Sequence, residues 1–143
     1  MEQGSLWRQL RANILSLLSL TVALSALGYN TWRNERTEFN RSIRAAEFEM
    51  LRHLIEVQQV IDFAHLRKDQ QKGDLTLGLN RVLLIRDLAS VTPEPVEKAA
   101  EQLRAGWVAD SEKLATDNEA AGKLSEQVWQ TRQAVLASLR SLK

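Results

Sequence analysis

The order of hydrophobic and polar positions separates this chain into stretches of distinct rhythm. From Ala12 to Trp32 there is no charge, and the run is bounded by Arg11 and Arg33. As one helix, Trp7 to Trp32 spans about 37 Å. That fits a hydrocarbon core of roughly 30 Å with an aromatic residue in each interfacial layer. The pattern predicts a short basic tail over 1–11 and a transmembrane anchor over 12–32, with Trp7, Tyr29 and Trp32 as interface anchors. Residues 30–38 are polar almost all round and read as a solvated helical neck. From Phe39 a helical period begins: Phe39, Ile43, Ala46, Met50, Leu54, Val57 and Ile61, with Phe48, Leu51, Ile55 and Phe63 widening the stripe. This predicts a helix with a broad buried face that continues the anchor as one rod, covering 33–66.

Arg67 to Asp74 is a polar turn with Gly73 near its end. The next helix is expected over 75–91, with Asp74 as N-cap. Val82-Leu83-Leu84-Ile85 is apolar on every side and marks this helix as central, while Gly78 is a weak spot in it. Thr92 is placed to cap the following helix and Pro93 to occupy its first turn. In the last segment Ala100, Trp107, Leu114, Ala121, Val128, Val135 and Leu142 recur at strict sevens. Such a period means helices that wrap with a coiled-coil-like twist. A continuous helix over 93–142, about 75 Å long, is the expectation. The capping-box spacing at Thr116-Asp117-Asn118-Glu119 marks 116–118 as the place for a break. The fold class expected is all-α: an N-terminal transmembrane helix continuing into an antiparallel three- or four-helix bundle over 33–143.

Composition sharpens the picture. The formal net charge is +1, carried by Glu2, Arg8 and Arg11, so everything after the anchor sums to zero. No clustered positive surface is available for nucleic acid. Cysteine is absent, which removes disulfides, thiolate metal sites and cysteine nucleophiles. Within the span Ala12, Ser16, Ser19, Ala23, Ala26 and Asn30 step by 4, 3, 4, 3 and 4, along one face. Small residues let another helix approach closely, so Ser16, Ser19, Ala23 and Ala26 form the expected helix-packing face. The rival reading is a cleaved signal peptide, with Arg8 and Arg11 as its charged region and Ala26-Leu27-Gly28 as its cleavage site. Orientation is nearly balanced. Arg33, Arg36, Arg41 and Arg44 after the span lean toward a cytoplasmic domain. The signal-anchor layout, which we follow, puts the domain on the exported side.

Candidate chemistry is thin. His53 lies within one turn of Glu49 and Glu56, and His65 within one turn of Asp62 and Asp69. Helical di-metal sites need two carboxylate-x-x-His motifs facing each other, and Asp62-x-x-His65 stands alone. The two histidines are about 18 Å apart along a helix, too far to share an ion. No serine sits on an exposed turn beside a base, and no Gly-rich phosphate loop occurs. An enzyme is not expected, and no cofactor. Arg81 and Arg86 lie in the most apolar helix, where a buried arginine must be paired. The structural reading is an ion pair to another helix, and the sharper one is a small-anion site in a cavity. Trp107 fits the seven-residue ladder and reads as core. Trp129 falls one position off it and is the best candidate partner contact outside the membrane.

The stretch from Asn13 through Tyr29, Asn30, Thr31, Trp32, Arg33 and Asn34 to Glu35 resembles a group of uncharacterised bacterial single-pass inner-membrane proteins with a helical tail. The resemblance covers the anchor and neck and implies a bacterial membrane setting, with no activity attached. The layout is more distantly similar to the sensor half of a chemoreceptor, which adds a second, returning span. It is also similar to small division-complex proteins and phage spanins, which carry a stronger zipper after the span. Taken together, these features lead us to expect a membrane-anchored interaction or scaffold subunit of a bacterial envelope complex. Its partners would be membrane lipid and another membrane helix, from a second copy or a separate protein. A ligand-sensing bundle is the alternative, and a metal-dependent enzyme a distant third.

Overall fold

The computed structural model describes residues 3–69 and 71–142, apart from the side chains at 3–7, 10 and 12. The side chain of Trp7, an expected interface anchor, therefore lies outside the described residues, as does that of Ala12. The described chain is helical and contains no strand. Helix α1 runs Gln3–Asp62 and ends in a π-helical turn, Phe63–Arg67. Helices α2 (Leu75–Ala89), α3 (Glu94–Asp110) and α4 (Asn118–Ser141) follow. The chain divides into two compact units, Met1–Phe39 and Asn40–Lys143.

In the first unit every described side chain is exposed. Leu15, Leu18 and Leu27 are each at least 60% exposed. The helix contains an 18-residue window of mean hydropathy 1.4, none of it buried, and is long and apolar enough to cross a membrane.

The second unit has one hydrophobic core. Met50, Leu54, Val57 and Ile61 enter it from α1, and Val82, Ile85 and Ala89 from α2. Val96, Ala100, Leu103 and Trp107 come from α3, and Ala121, Leu124, Val128 and Val135 from α4. Helix α3 packs against both α2 and α4. Each large apolar side chain buried here contributes about 1.5–3 kcal/mol relative to exposure.

Two expectations of burial are corrected. The apolar stripe of α1 is shorter and narrower than the sequence suggested: Phe39, in the first unit, is 62% exposed although in register with Val57, while Phe48 is 62% and Ile55 53% exposed. At 100° per residue, Phe48 and Ile55 point away from the side that carries Met50, Leu54 and Val57. Likewise α2 is not buried all round. Val82 and Ile85 are sealed in the core, whereas Leu84 is exposed.

The turn after α1 rests on specific backbone chemistry. Lys68 adopts a left-handed φ of 51°, and its N–H bonds to the Phe63 carbonyl. Asp69 accepts from the N–H groups of Gln71 and Lys72 at 3.0 and 3.1 Å. Gly73 is needed there: a Cβ would sit 2.5 Å from the backbone nitrogen of Ala64. Asp74 then caps α2 by accepting from Thr76 and Leu77. After α2, the Thr92 hydroxyl turns back to the Ala89 carbonyl at 2.7 Å instead of capping α3. Pro93 itself is the N-cap, and Pro95 lies in the first turn.

The expected continuous last helix is also corrected: it is two helices. The Asp110 backbone leaves helical geometry at φ −124°, and a 3-10 turn over Ser111–Lys113 follows. Asp117 restarts the chain as N-cap of α4, accepting from Glu119 at 2.8 Å and Ala120 at 3.2 Å. The break follows from length. At 15 residues α2 reaches about 22 Å, so an unbroken 75 Å helix would outrun it. The strict sevens survive the break, because α3 and α4 pack on each other and each turns one seam inward. Leu114, in the turn itself, is fully buried.

Candidate functional site

The first candidate site is the span. Ser16, Ser19, Ala23 and Ala26 are all exposed and follow one side of the helix. The Thr21 hydroxyl is satisfied within the helix, donating to the Leu17 carbonyl at 2.8 Å. At the far end of the uncharged run Tyr29 and Trp32 are 62% and 54% exposed. Their ring centroids lie 6.2 Å apart, tilted by 40°. The Arg36 guanidinium sits 5.6 Å from the Trp32 ring, a cation–π arrangement. An amphipathic cluster thus closes the apolar stretch.

The second unit holds a polar cluster between α1 and α2. The His53 ring is buried, with Nδ1 2.9 Å from Glu56 Oε2. A carboxylate only accepts, so Nδ1 carries the proton. The ring's Nε2 stands 3.9 Å from Glu49. Arg81 Nε lies 2.7 Å from the same Glu56 oxygen. That contact is ionic, since the N–H is not aligned as a hydrogen bond. The Glu56 carboxyl is held below its usual range, chiefly by the His53 hydrogen bond, against the cost of burial and with help from the Arg81 charge. Arg81 therefore pairs across helices, while Arg86 pairs with its neighbour Asp87 at 3.0 Å and is half exposed.

Both arginines are already paired with a carboxylate. The cleft beside Arg81, about 580 Å³, is lined by both Glu56 and Lys72. The depression at Arg86 is lined by Asp87, Glu97 and Glu101, which favour cations over anions. His65 has a structural contact: its Nδ1 donates to the Leu114 carbonyl at 2.6 Å, tying the π-helical turn to the α3–α4 turn. Among the described residues no three His, Cys, Asp or Glu converge as a metal-binding group.

Trp129 is 55% exposed. It borders a groove of about 350 Å³ between α1 and α4, together with Ile55, Gln58, Ser125 and Arg132. Across the groove Gln58 Nε2 donates to the Ser125 hydroxyl oxygen at 3.1 Å. Asp110, at the end of α3, accepts from Lys123 at 2.8 Å and Lys113 at 2.9 Å. Those two bonds hold its carboxyl below the usual range.

One residue escaped the sequence reading. Glu47 is completely buried, and neither carboxyl oxygen has a hydrogen-bond partner among the described residues. The Ser138 hydroxyl of α4 is near enough to act on it but does not form a well-shaped bond, and its own oxygen is unpartnered. Burial pushes the Glu47 carboxyl above its ordinary value, and Ser138 only partly opposes that. A signal was present: Glu47 stands four residues after Ile43 and three before Met50, in the buried register of α1.

The chain matches no protein-family model, no curated protein and no solved structure.

Proposed function

We propose that this protein is a membrane-anchored interaction or scaffold subunit of a bacterial envelope complex. It would reside in the inner membrane with its helical domain in the periplasm. The observation that carries the reading is the exposure of the uncharged apolar helix ending at Trp32. Leaving side chains such as Leu15, Leu18 and Leu27 in water forgoes about 1.5–3 kcal/mol each. A bilayer covers them, and the Tyr29–Trp32–Arg36 cluster matches the chemistry of a lipid interface.

The helices of the second unit form an antiparallel bundle in this reading. Its support is the packing of α3 on α2 and α4 through short connections. The Ser16, Ser19, Ala23 and Ala26 face would receive a second span, from another copy or from a partner. Trp129 and Ile55 would contribute the interaction surface of the domain.

The experiment is a reporter fusion after Lys143, read together with the size of the chain. Alkaline phosphatase activity on an uncut, membrane-embedded chain supports the proposal. A cut, soluble product overturns the anchor. Fluorescence of a green fluorescent protein fusion without phosphatase activity overturns the periplasmic placement.

A further inference from the structure

Glu47 is the least comfortable group in the described chain. It is a fully buried carboxyl with two unsatisfied oxygens, on the same helix face as the core residues Met50 and Leu54 and near Ser138 of α4. An ionised carboxylate there would lose its hydration without gaining a partner. The neutral acid is far cheaper to bury, and its proton gives it one donor to offer Ser138.

The surroundings offer no relief. On α1 the nearest basic group, Arg44, is exposed and committed to the Leu142 carbonyl at 2.8 Å. On α4 the facing polar group is Ser138, and Arg140 is exposed. Arg86 and Asp87 near the end of α2, and Glu94, Glu97 and Lys98 at the start of α3, are all exposed. None of these charges acts on the Glu47 carboxyl, which feels burial and Ser138.

We propose that Glu47 is a proton-operated latch on the end of α4. The protonated side chain lets the last turn, Ser138 to Leu142, close against α1. Loss of the proton opens that turn and lets water reach the carboxylate. This turn is the element that gives way because it is a helix end, and helix ends open locally at low cost. It is held by Leu139 packed on the core and by the exposed Arg44–Leu142 bond. The α1 side cannot yield as readily, since Met50 and Leu54 on the next turn are sealed in the core. Opening uncovers Leu139, so the latch couples external pH to an apolar surface. The inference stands apart from the membrane reading, because every group in it belongs to the second unit.

The sign is set by the carboxyl. Its folded value is raised, so docking is fully stable below the ordinary value of 4.5 and weakens as pH rises toward the folded value. The test is hydrogen–deuterium exchange on the full-length protein in detergent micelles, corrected for intrinsic exchange. Protection of amides 138–142 is expected to fall about tenfold per pH unit within that window. Amides 100–107 of α3 should stay better protected than 138–142 at every pH in that window, because they exchange only when the whole unit opens. Glu47→Gln should remove the fall, and Ser138→Ala, which takes away the one group favouring the charged form, should enlarge it. A fall of equal slope in Glu47→Gln, equal protection of amides 138–142 and 100–107 throughout the window, or no fall in the wild type overturns the proposal. Glu47→Met provides a second neutral variant, and failure of both to fold would also overturn it.

Discussion

The ring of Trp107 lies directly on the bare backbone of Gly78. A Cβ at that position would overlap the indole, and it would also press on Val60 of α1 at 3.1 Å. The glycine that weakens α2 as an isolated helix is what allows the largest core side chain to seat between α2 and α3. Gly78→Ala should therefore destabilise the second unit by about 1–3 kcal/mol through overpacking. Gly122, in α4, has open space around its missing Cβ. Gly122→Ala should stabilise by about 0.5–1 kcal/mol. Urea or thermal unfolding of the two variants checks the pair, and shifts of the same sign would contradict the packing described.

The break between α3 and α4 depends on Asp117 as N-cap. Asp117→Ala should cost about 0.5–2 kcal/mol. The same loss is expected for Asp74→Ala at the start of α2. Circular dichroism during thermal unfolding would report both. A neutral Asp117→Ala would mean that packing alone positions the restart.

Two carboxyls should give the unfolding profile opposite pH limbs. Glu56 is lowered, so its contribution is present above the ordinary value of 4.5 and is lost as pH falls through the folded value. Glu56→Gln should flatten the acid limb, with a total effect up to about 1 kcal/mol because the pair with Arg81 is partly exposed. Glu47 is raised, so Glu47→Gln should stabilise the protein more at pH 7 than at pH 4.5. Unfolding midpoints at the two pH values separate these effects. Stabilisation by Glu47→Gln that is the same at both would show that the carboxyl stays solvated.

For the span, Ser19→Leu or Ala23→Leu should weaken helix association by about 1–2 kcal/mol. Leu17→Ile, on the opposite side of the helix, should leave it unchanged. Energy transfer between labelled copies in vesicles measures association, and circular dichroism confirms that the second unit stays folded. Equal effects from both faces would remove the small-residue stripe as the contact.

Much of this architecture is written in local pattern. The uncharged run from Ala12 to Trp32, the spacing of Ile43, Met50, Leu54, Val57 and Ile61, and the Asp74 cap are short-range signals. Periodicity and capping act through neighbouring residues, so the chain alone determines that these segments are helical and which side of each is apolar. The seven-residue ladder likewise determines that Ala100 to Val135 face a partner helix, and all six of its members through Val135 are buried. Only the tertiary structure decided that this ladder folds back on itself at Ser111–Asp117, because the length a helix keeps depends on the helices it packs against. The seating of Trp107 on Gly78, the pairing of Arg81 with Glu56, and the exposure of Phe48 and Ile55 are set by contacts between segments far apart in the chain. The same holds for Glu47. Its place in the apolar register is visible in the sequence, but its isolation is created by what α4 sets opposite it, a single serine hydroxyl and no charge.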